Sequence, residues 1–533
     1  MKVVRQAIIG LLVLVMALMS GCGQQAAAPK PAEPKAAPQV LIYLSGLEGD
    51  TLDPAHFTSG GSTPPVKHIF DTLVNMKADE KSVQFLPALA TKWESSADGK
   101  KWTFTLRSGV KFHSGEPFNA QAVKYTFDRI LDKAKGLKAY GTYAPIIEKV
   151  EVSGDNQVIF WTKSPYGPML SLISSSSASI VCPTDVEKWG KDWGTHPCGT
   201  GAFTYKEWVR DDHMTLAANP NWWDGKPKID QIVFKPVMET ASRLMALEAG
   251  QAHIVTGIPP DDIARLEKVK GVKVLKVPSV RIRIIGINTK SPPLNDVRVR
   301  QALNYAVDKE SMINVLLKGT KVIADSPLPK GAFGYVPTFT YKYDPEKAKA
   351  LLAAAGFKNG LTLNFLALEQ ARDPGLMDSL TKIREDLAKV GIQTKYEITD
   401  INAYLAKLEV SPEVALKQGK QLYAQGGGAG TFDADVPMRD YFSTAAWTPK
   451  GTNRGYYSNP RVDKLLEIGM TSVDQKTRLD AYKEAQQIIM DECPWIFLYT
   501  ETVMFGVRDT VSGIETVPSD YLLLHKASLT PPK

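Results

Sequence analysis

The chain has 533 residues, of which 44% are hydrophobic and 23% are charged, and its formal net charge is +7. Because one domain usually takes about 100 to 200 residues, this length predicts about two to four domains. The composition is typical of a globular protein, which excludes disorder over most of the chain and a polytopic membrane protein.

Residues 1–22 have the layout of an export signal. Lys2 and Arg5 precede an uncharged run over residues 7–19, which is too short for a comfortable transmembrane span. Small residues then lead into Cys22, and residues 18–22 resemble the bacterial lipobox, in which the cysteine becomes lipidated. We therefore predict a lipoprotein signal peptide over residues 1–21. An ordinary signal peptide and an uncleaved anchor are the alternatives.

Cleavage before Cys22 would leave 512 residues with a net charge of +5. Acyl chains on this cysteine would hold the protein on a membrane, because each buried CH₂ contributes about 0.8 kcal/mol. Residues 24–38 contain no aromatic and no β-branched residue, so the segment 22–39 is typical of a lipidated cysteine followed by an extended tether. The predicted location is the outer face of a bacterial cell membrane, at the cell surface or in the periplasm.

Export also determines how the other cysteines are interpreted. An oxidising compartment permits a disulfide between Cys182 and Cys198. The sequence leaves open whether these two thiols are bridged or free. Cys493, beside Pro494-Trp495, is expected to be a small buried hydrophobic residue. Because the chain has no Cys-x-x-Cys pair, neither a zinc ribbon nor a thioredoxin-like centre is predicted.

Strand and helix patterns alternate after residue 39, which indicates an α/β protein. Strands are predicted from their apolar or period-two patterns, and helices from apolar spacing together with capping residues. The predicted strands include 40–44 and 102–107, and the predicted helices include 119–133, 295–312, 344–356, 377–390 and 475–490.

The sequence lacks the usual patterns of enzymes and nucleic-acid-binding proteins. No two of the seven histidines lie three or four residues apart, and neither a nucleophile elbow nor a phosphate-binding loop is present. The glycine-rich run 426–430 resembles a nucleotide loop only superficially, because Asp433 and Asp435 follow where a phosphate would need helix N–H groups. We therefore predict no enzyme activity, no cofactor, no metal and no nucleic-acid partner.

Five segments, in order, resemble extracellular solute-binding protein family 5, whose members serve peptide, nickel and glutathione ABC importers. Together these segments cover nearly all of residues 40–525. They begin with Leu52-Asp53-Pro54, continue through Trp93-Glu94 to Phe127-Asp128-Arg129 and through Gly199-Thr200-Gly201-Ala202-Phe203 with Asn219-Pro220-Asn221-Trp222-Trp223, and end with Pro293-Leu294-Asn295-Asp296 and Pro494-Trp495-Ile496.

The resemblance implies an α/β, periplasmic-binding-protein-like clamshell (type II, cluster C) with an extra third domain. The ligand is expected between domains I and III, which would close around it by a hinge motion. The implied limits are 40–70, 190–280 and 497–533 for domain I, 71–189 for domain II, and 281–496 for domain III.

The same resemblance implies a monomeric substrate-binding lipoprotein that captures a peptide-like solute and delivers it to an ABC permease in the membrane. The solute would be an oligopeptide, a dipeptide or a glutathione-type peptide. The alternatives are a nickel chelate, haem or another non-peptide solute, and, from other functional classes, a secreted hydrolase, an adhesin or a chemoreceptor ligand-binding protein.

Two loops and one helix carry the ligand-binding residues that the resemblance implies. In peptide-binding relatives, one loop follows the first Leu-Asp-Pro and the other corresponds to residues 426–435. The candidates are Ser59, Gly60, Gly61 and Ser62 in the first loop, Gly427, Gly428, Ala429, Gly430, Thr431, Phe432 and Asp433 in the second, and Arg439 beyond it.

The second loop departs from the peptide-binding pattern. Gly430 takes the place of the aspartate that pairs with a peptide's α-amino group, so dipeptide binding through that salt bridge is not expected. Residues 430–442 look more like the glutathione-type subgroup. Asp433 or Asp435 would then bind a ligand cation and Arg439 a ligand carboxylate. The alternative, preferred for Asp435, is that these acids cap a helix that begins near Val436.

Overall fold

The computed structural model describes residues 38–78, 83–368, 375–519 and 521–530. The predicted signal peptide, Cys22 and the tether up to residue 37 lie outside this part of the chain. Among the residues described, no helix combines the length and the apolar character that crossing a membrane requires.

The strands are β1 (Val40–Ser45), β2 (Val74–Ala78), β3 (Val83–Pro87), β4 (Ala90–Ser95), β5 (Lys101–Leu106), β6 (Ile147–Val152), β7 (Gln157–Thr162), β8 (Phe203–Val209), β9 (His213–Ala218), β10 (Gln231–Pro236), β11 (Ile254–Thr256), β12 (Val272–Ile287), β13 (Val322–Ile323), β14 (Leu361–Leu368), β15 (Ile392–Thr399), β16 (Leu422–Gly428), β17 (Trp495–Arg508), β18 (Val511–Ser512), β19 (Glu515–Thr516), β20 (Leu522–Leu523) and β21 (Ser528–Leu529).

The helices are α1 (Thr63–Ile69), α2 (Ala120–Leu131), α3 (Tyr140–Tyr143), α4 (Met169–Ser174), α5 (Pro183–Trp189), α6 (Thr240–Glu248), α7 (Pro260–Leu266), α8 (Val297–Ala306), α9 (Lys309–Ser311), α10 (Pro345–Ala354), α11 (Leu376–Lys389), α12 (Ile401–Leu408), α13 (Pro412–Lys417), α14 (Asp435–Phe442), α15 (Pro460–Thr471) and α16 (Gln475–Glu492).

One large mixed sheet runs through most of the protein. Its strand order is β15-β14-β16-β12-β17-β11-β1-β10-β9-β8, and β13 also pairs with β17. The long antiparallel strands β12 and β17, of 16 and 14 residues, lie at its centre. The predicted domain limits at 280/281 and 496/497 fall inside these two strands, so both predicted large domains contribute to one continuous sheet.

A separate four-stranded sheet, β4-β5-β7-β6, lies in the region predicted as domain II. Its core is aromatic, because Phe104 and Phe160 from the sheet meet Phe127 of α2. The rings of Phe127 and Phe160 are 4.7 Å apart and nearly perpendicular at 88°, an edge-to-face contact. Such a pair contributes about 0.5–1.5 kcal/mol beyond the burial of its area.

Capping residues explain several of the helix boundaries that the sequence predicts. The Asn119 side chain accepts a hydrogen bond from the N–H of Ala122 at 3.1 Å, and Asp344 accepts one from the N–H of Lys347 at 2.9 Å. These contacts satisfy N–H groups that have no partner within the helix. The predictions of β1, β5, α2, α10, α11 and α16 are confirmed within a few residues.

The helix predicted over 295–312 is wrong at its carboxyl end, because α8 stops at Ala306. The backbone N–H of Asp308 donates to the Asp386 carboxylate on α11 at 3.0 Å. The Asp308 side chain then accepts from the N–H of Ser311 at 2.9 Å and caps the short helix α9. A tertiary contact therefore ends a helix that apolar spacing alone would extend.

Candidate functional site

A cavity of about 1110 Å³ lies beside the strand pair β12 and β16. Its walls come from distant parts of the chain, which the central sheet brings together. They include residues 279–283 of β12, residues 424–428 of β16, the start of α12, Tyr441 of α14, and the single residues Leu368, Leu376, Gly430, Phe432, Arg454, Glu501 and Ser519. The volume is sufficient for a small organic solute, since ligand pockets typically occupy about 300–1,000 Å³.

The β12–β16 register places two arginines at this cavity. Arg281 lies opposite Gly428 and Arg283 lies opposite Gly426. A Cβ on Gly426 would sit only 2.4 Å from Nη1 of Arg283. Glycine at this position therefore leaves the space that the Arg283 guanidinium occupies.

The charged groups that line the cavity have both signs. Arg283 forms an ion pair with Glu501, with Nε and Oε1 2.5 Å apart, and Arg454 pairs with Glu409 at 2.8 Å. Asp400 caps α12 by accepting from the N–H groups of residues 402 and 403. Guanidinium groups match the geometry of carboxylates, and carboxylates bind ammonium groups, so the cavity can accommodate a zwitterionic solute.

The remaining wall is aromatic and aliphatic. Tyr404, Tyr441 and Phe432 contribute rings, and Leu368, Leu376 and Ile401 contribute aliphatic surface. The Tyr404 hydroxyl donates to the carbonyl oxygen of Ala424 on β16. Burial raises the pKa of the Tyr404 hydroxyl above its ordinary value. The ring therefore stays neutral at physiological pH and offers apolar surface to a solute.

Comparison with known proteins identifies the family. Residues 84–449 match the family described as "Bacterial extracellular solute-binding proteins, family 5 Middle". The chain belongs to this family. The glutathione-binding protein GsiB of Pectobacterium atrosepticum is 31% identical over 500 residues, which is 94% of this chain and 96% of that protein.

Solved structures agree with this assignment. HbpA2 from Haemophilus parasuis superposes with a TM-score of 0.83 at 26% identity, covering 92% of this chain and 100% of that one. The periplasmic binding protein DppA from Helicobacter pylori, in complex with the peptide STSA, gives 0.73 at 28% identity, covering 92% and 98%. The predicted fold class and family of this solute-binding protein are therefore confirmed.

The second predicted loop lies at the cavity in part. The candidate residues of this loop that line the cavity are Gly427, Gly428, Gly430 and Phe432. Ala429 is buried and its N–H donates to the Val280 carbonyl at 2.9 Å, and Thr431 is half-buried away from the cavity lining. Phe432 has a φ of 56°, a left-handed conformation that non-glycine residues adopt only when their surroundings enforce it.

Asp433 lies in a buried ion pair, not in the cavity lining. Its Oδ1 is 2.6 Å from Nη2 of Arg478 and also accepts from the N–H of Asp435, and its Oδ2 accepts from the Ser171 hydroxyl. All these partners belong to the protein itself. A contact between Asp433 and a ligand cation therefore stays a prediction, and this geometry does not favour it.

The capping role expected for Asp435 is wrong. Helix α14 begins at Asp435 itself, and the N-cap position before it is Ala434, which provides no side-chain cap. Asp435 instead pairs with Arg439 one turn later, at 3.0 Å, and accepts from the Tyr166 hydroxyl at 3.2 Å. The pKa of Asp435 is raised above its ordinary value, because the effect of burial outweighs the opposing effect of Arg439. The carboxylate that Arg439 meets is thus its neighbour on the same helix.

The first predicted loop contacts other parts of the protein backbone. Ser59 caps the 3-10 helix Gly60–Ser62 and its hydroxyl donates to the Glu48 carbonyl at 2.6 Å. A Cβ on Gly61 would sit 2.5 Å from the Glu48 backbone, and the Ser62 hydroxyl donates to Asp50 at 2.8 Å. This loop is therefore packed against residues 48–50, and its proposed ligand contacts stay a prediction.

Cys182 and Cys198 are close together, and no bond joins their sulfur atoms in this structure. Their Sγ atoms and a carboxylate oxygen of Asp185 all lie within 4.8 Å of one another. The N–H of Cys182 also donates to the Cys198 carbonyl at 3.2 Å. The disulfide stays a prediction. Cys493 is fully buried as expected, and burial raises its pKa to about 12.

The charged cavity residues Arg281, Arg283, Arg454 and Glu501 were missed at the level of sequence. A signal does exist for two of them, because Arg281 and Arg283 alternate with Val280, Ile282 and Ile284 in a strand pattern. Charged residues at period two mark one face of a strand that meets polar surroundings. Neither Arg454 nor Glu501 has such a local pattern.

Proposed function

We propose that this protein captures a small peptide-like solute in the cavity beside β12 and β16. Membership of a solute-binding family supports this proposal. So do the relatives named glutathione-binding proteins and the solved relative that holds the peptide STSA. A glutathione-type peptide is the first candidate, because the relatives with that name are 30–31% identical over more than nine-tenths of the chain.

The observation that carries the proposal is the placement of Arg281 and Arg283 with Glu501 at one cavity. Glutathione carries two carboxylates and one ammonium group at neutral pH. The two arginines would bind a carboxylate, while Glu501 would bind the ammonium group. Charge-assisted hydrogen bonds of this kind are shorter and stronger than neutral ones, and they orient a flexible solute.

Closure around the solute would use the two central strands. β12 and β17 connect both halves of the large sheet, and their pairing shifts register between Pro278 and Ile282. Such an irregularity concentrates bending at one position along a strand. We propose that the halves rotate about this position and enclose the solute, as in hinge-bending binding proteins.

The closed protein would then dock on the membrane subunits of an ABC importer. Lipidation of Cys22 would keep the protein, as a monomer, on the outer face of the cell membrane. Capture at that position supplies the importer from a diluted external pool. Preorganised walls raise the affinity of such capture, because less conformational freedom is lost on binding.

Isothermal titration calorimetry of the mature protein with glutathione tests the proposal. We expect saturable binding with one site, and weaker binding by Arg283→Met. Lys276→Met, at an exposed position of β12 outside the cavity lining, is the matched control and should bind like the wild type. Absence of binding to glutathione and to short peptides would contradict the proposed function.

A further inference from the structure

A second cavity of about 350 Å³ opens beside the first. The two cavities share Gly430 and Ser519 in their linings. The second cavity, called the side cavity here, lies among α1, the segment 138–142, the serines 175–177 and Tyr521. The first cavity, beside β12 and β16, is called the main cavity here. A solute in the main cavity could therefore extend into the side cavity past Gly430.

The side cavity is cationic and rich in hydroxyl groups. Lys67 and Lys138 supply the charge, and Ser175, Ser176 and Thr142 are among the hydroxyl-bearing residues in its lining. No aspartate or glutamate occurs among the described residues that line it. Ammonium and hydroxyl donors together form the kind of surrounding that binds an anion.

Lys67 is the strongest evidence for a binding role. In the described part of the chain it has no ion-pair partner, and its ammonium donates to the Ser174 carbonyl at the long distance of 3.3 Å. Burial lowers the pKa of Lys67 to about 8, although Asp71 raises it. A desolvated cation with one weak hydrogen bond gains stability when an anion enters.

Lys138 is the second cation in the lining of the side cavity. It is exposed, in the segment that leads into α3. It can therefore approach a solute from solvent, while Lys67 is held in the last turn of α1. The serines 175–177 belong to the region predicted as domain II, so the side cavity would involve that region in solute recognition.

We propose that the side cavity is a second subsite, which binds an anionic group of the solute, such as a carboxylate, between Lys67 and Lys138. The inference rests on the proposed function. It adds that the cleft selects solutes with two separated anionic groups, one for Arg281 and Arg283 and one for the lysine pair. Solutes with a single carboxylate should then bind more weakly.

Calorimetry with two probes tests this subsite. The probes are glutathione and glutathione whose glycine carboxylate is amidated. We expect Lys138→Ala to weaken binding of glutathione by about tenfold, the loss of one charge-assisted contact, and to affect the amide much less. Lys67→Met should act in the same direction. Lys133→Ala, at an exposed neighbouring lysine outside the lining, is the control and should change neither affinity.

Unchanged affinity for both probes in Lys138→Ala and Lys67→Met, or an equal loss for both, would overturn the subsite while leaving the proposed function intact. If the wild type binds neither probe, the proposed function fails, and inorganic phosphate then tests the lysine pair in equilibrium dialysis. Phosphate binding by the wild type that is lost in Lys138→Ala supports the subsite. Equal binding by both, or by neither, overturns it. Lys138 is exposed, so its replacement should leave the protein folded.

Discussion

The buried ion pair between Asp433 and Arg478 allows a sharp test of the loop after β16. The charged atoms are 2.6 Å apart, and the Arg478 and Asp433 side chains are 4% and 1% exposed. Removing one partner of such a pair leaves an uncompensated buried charge, which costs about 3–5 kcal/mol. Asp433 also accepts hydrogen bonds from Ser171 and from the N–H of Asp435, which would lose their acceptor. Asp433→Ala should therefore lower the free energy of unfolding by about 3–5 kcal/mol.

The assay is urea unfolding of the wild type, Asp433→Ala, Arg478→Met and the double variant. The double variant should lose less stability than the sum of the single variants, because it leaves neither charge unpaired. Asp480→Ala is the matched control, since Asp480 pairs with Lys476 on the surface at side-chain exposures of 64% and 83%. An exposed pair contributes little, so this control should unfold like the wild type.

One result would refute the structural role of Asp433. If Asp433→Ala unfolds like the wild type and yet no longer binds glutathione, its carboxylate belongs to the ligand site. If stability falls and the folded protein keeps its affinity, the carboxylate supports the loop through Arg478.

Three further predictions concern the cavity and the cysteines. Arg283→Met should weaken glutathione binding at least about tenfold in calorimetry, because a carboxylate loses a charge-assisted partner; unchanged affinity would remove Arg283 from the site. Gly426→Ala should also weaken binding, since its Cβ would meet the Arg283 guanidinium at 2.4 Å. Gly430→Ala should keep its fold, because a Cβ at that position would have no neighbouring atom within 4 Å. A disulfide between Cys182 and Cys198 would close a loop of about 15 residues and add about 3 kcal/mol. Alkylation of both thiols in oxidised, unfolded protein, detected by mass spectrometry, would contradict that bridge.

The fold could be predicted in outline because many of its signals are local. Asn119 and Asp344 lie directly before their helices, so the spacing of a few residues is enough to place them. The end of α8 could not be predicted this way. It depends on Asp386, 78 residues further along the chain, whose position follows from tertiary packing.

The candidate site was predicted only where a resemblance pointed to it. The run at Gly427 lies at the cavity, but the charge beside it comes from Arg283, which meets this run through strand pairing over a long sequence separation. Asp433 was placed at the ligand because its partner Arg478, 45 residues away, has no visible relation to it in the sequence. Cross-strand register and buried ion pairs are tertiary properties, so a single sequence does not reveal them.

The central claim is that the main cavity holds a peptide-like solute through its arginines. Native mass spectrometry of the protein purified from its own cells, without added ligand, tests this claim most directly. We predict an added mass that tandem fragmentation identifies as a peptide or glutathione-type solute, and that is lost in Arg283→Met. A bound metal chelate or haem, or a solute that Arg283→Met retains in full, would contradict the account.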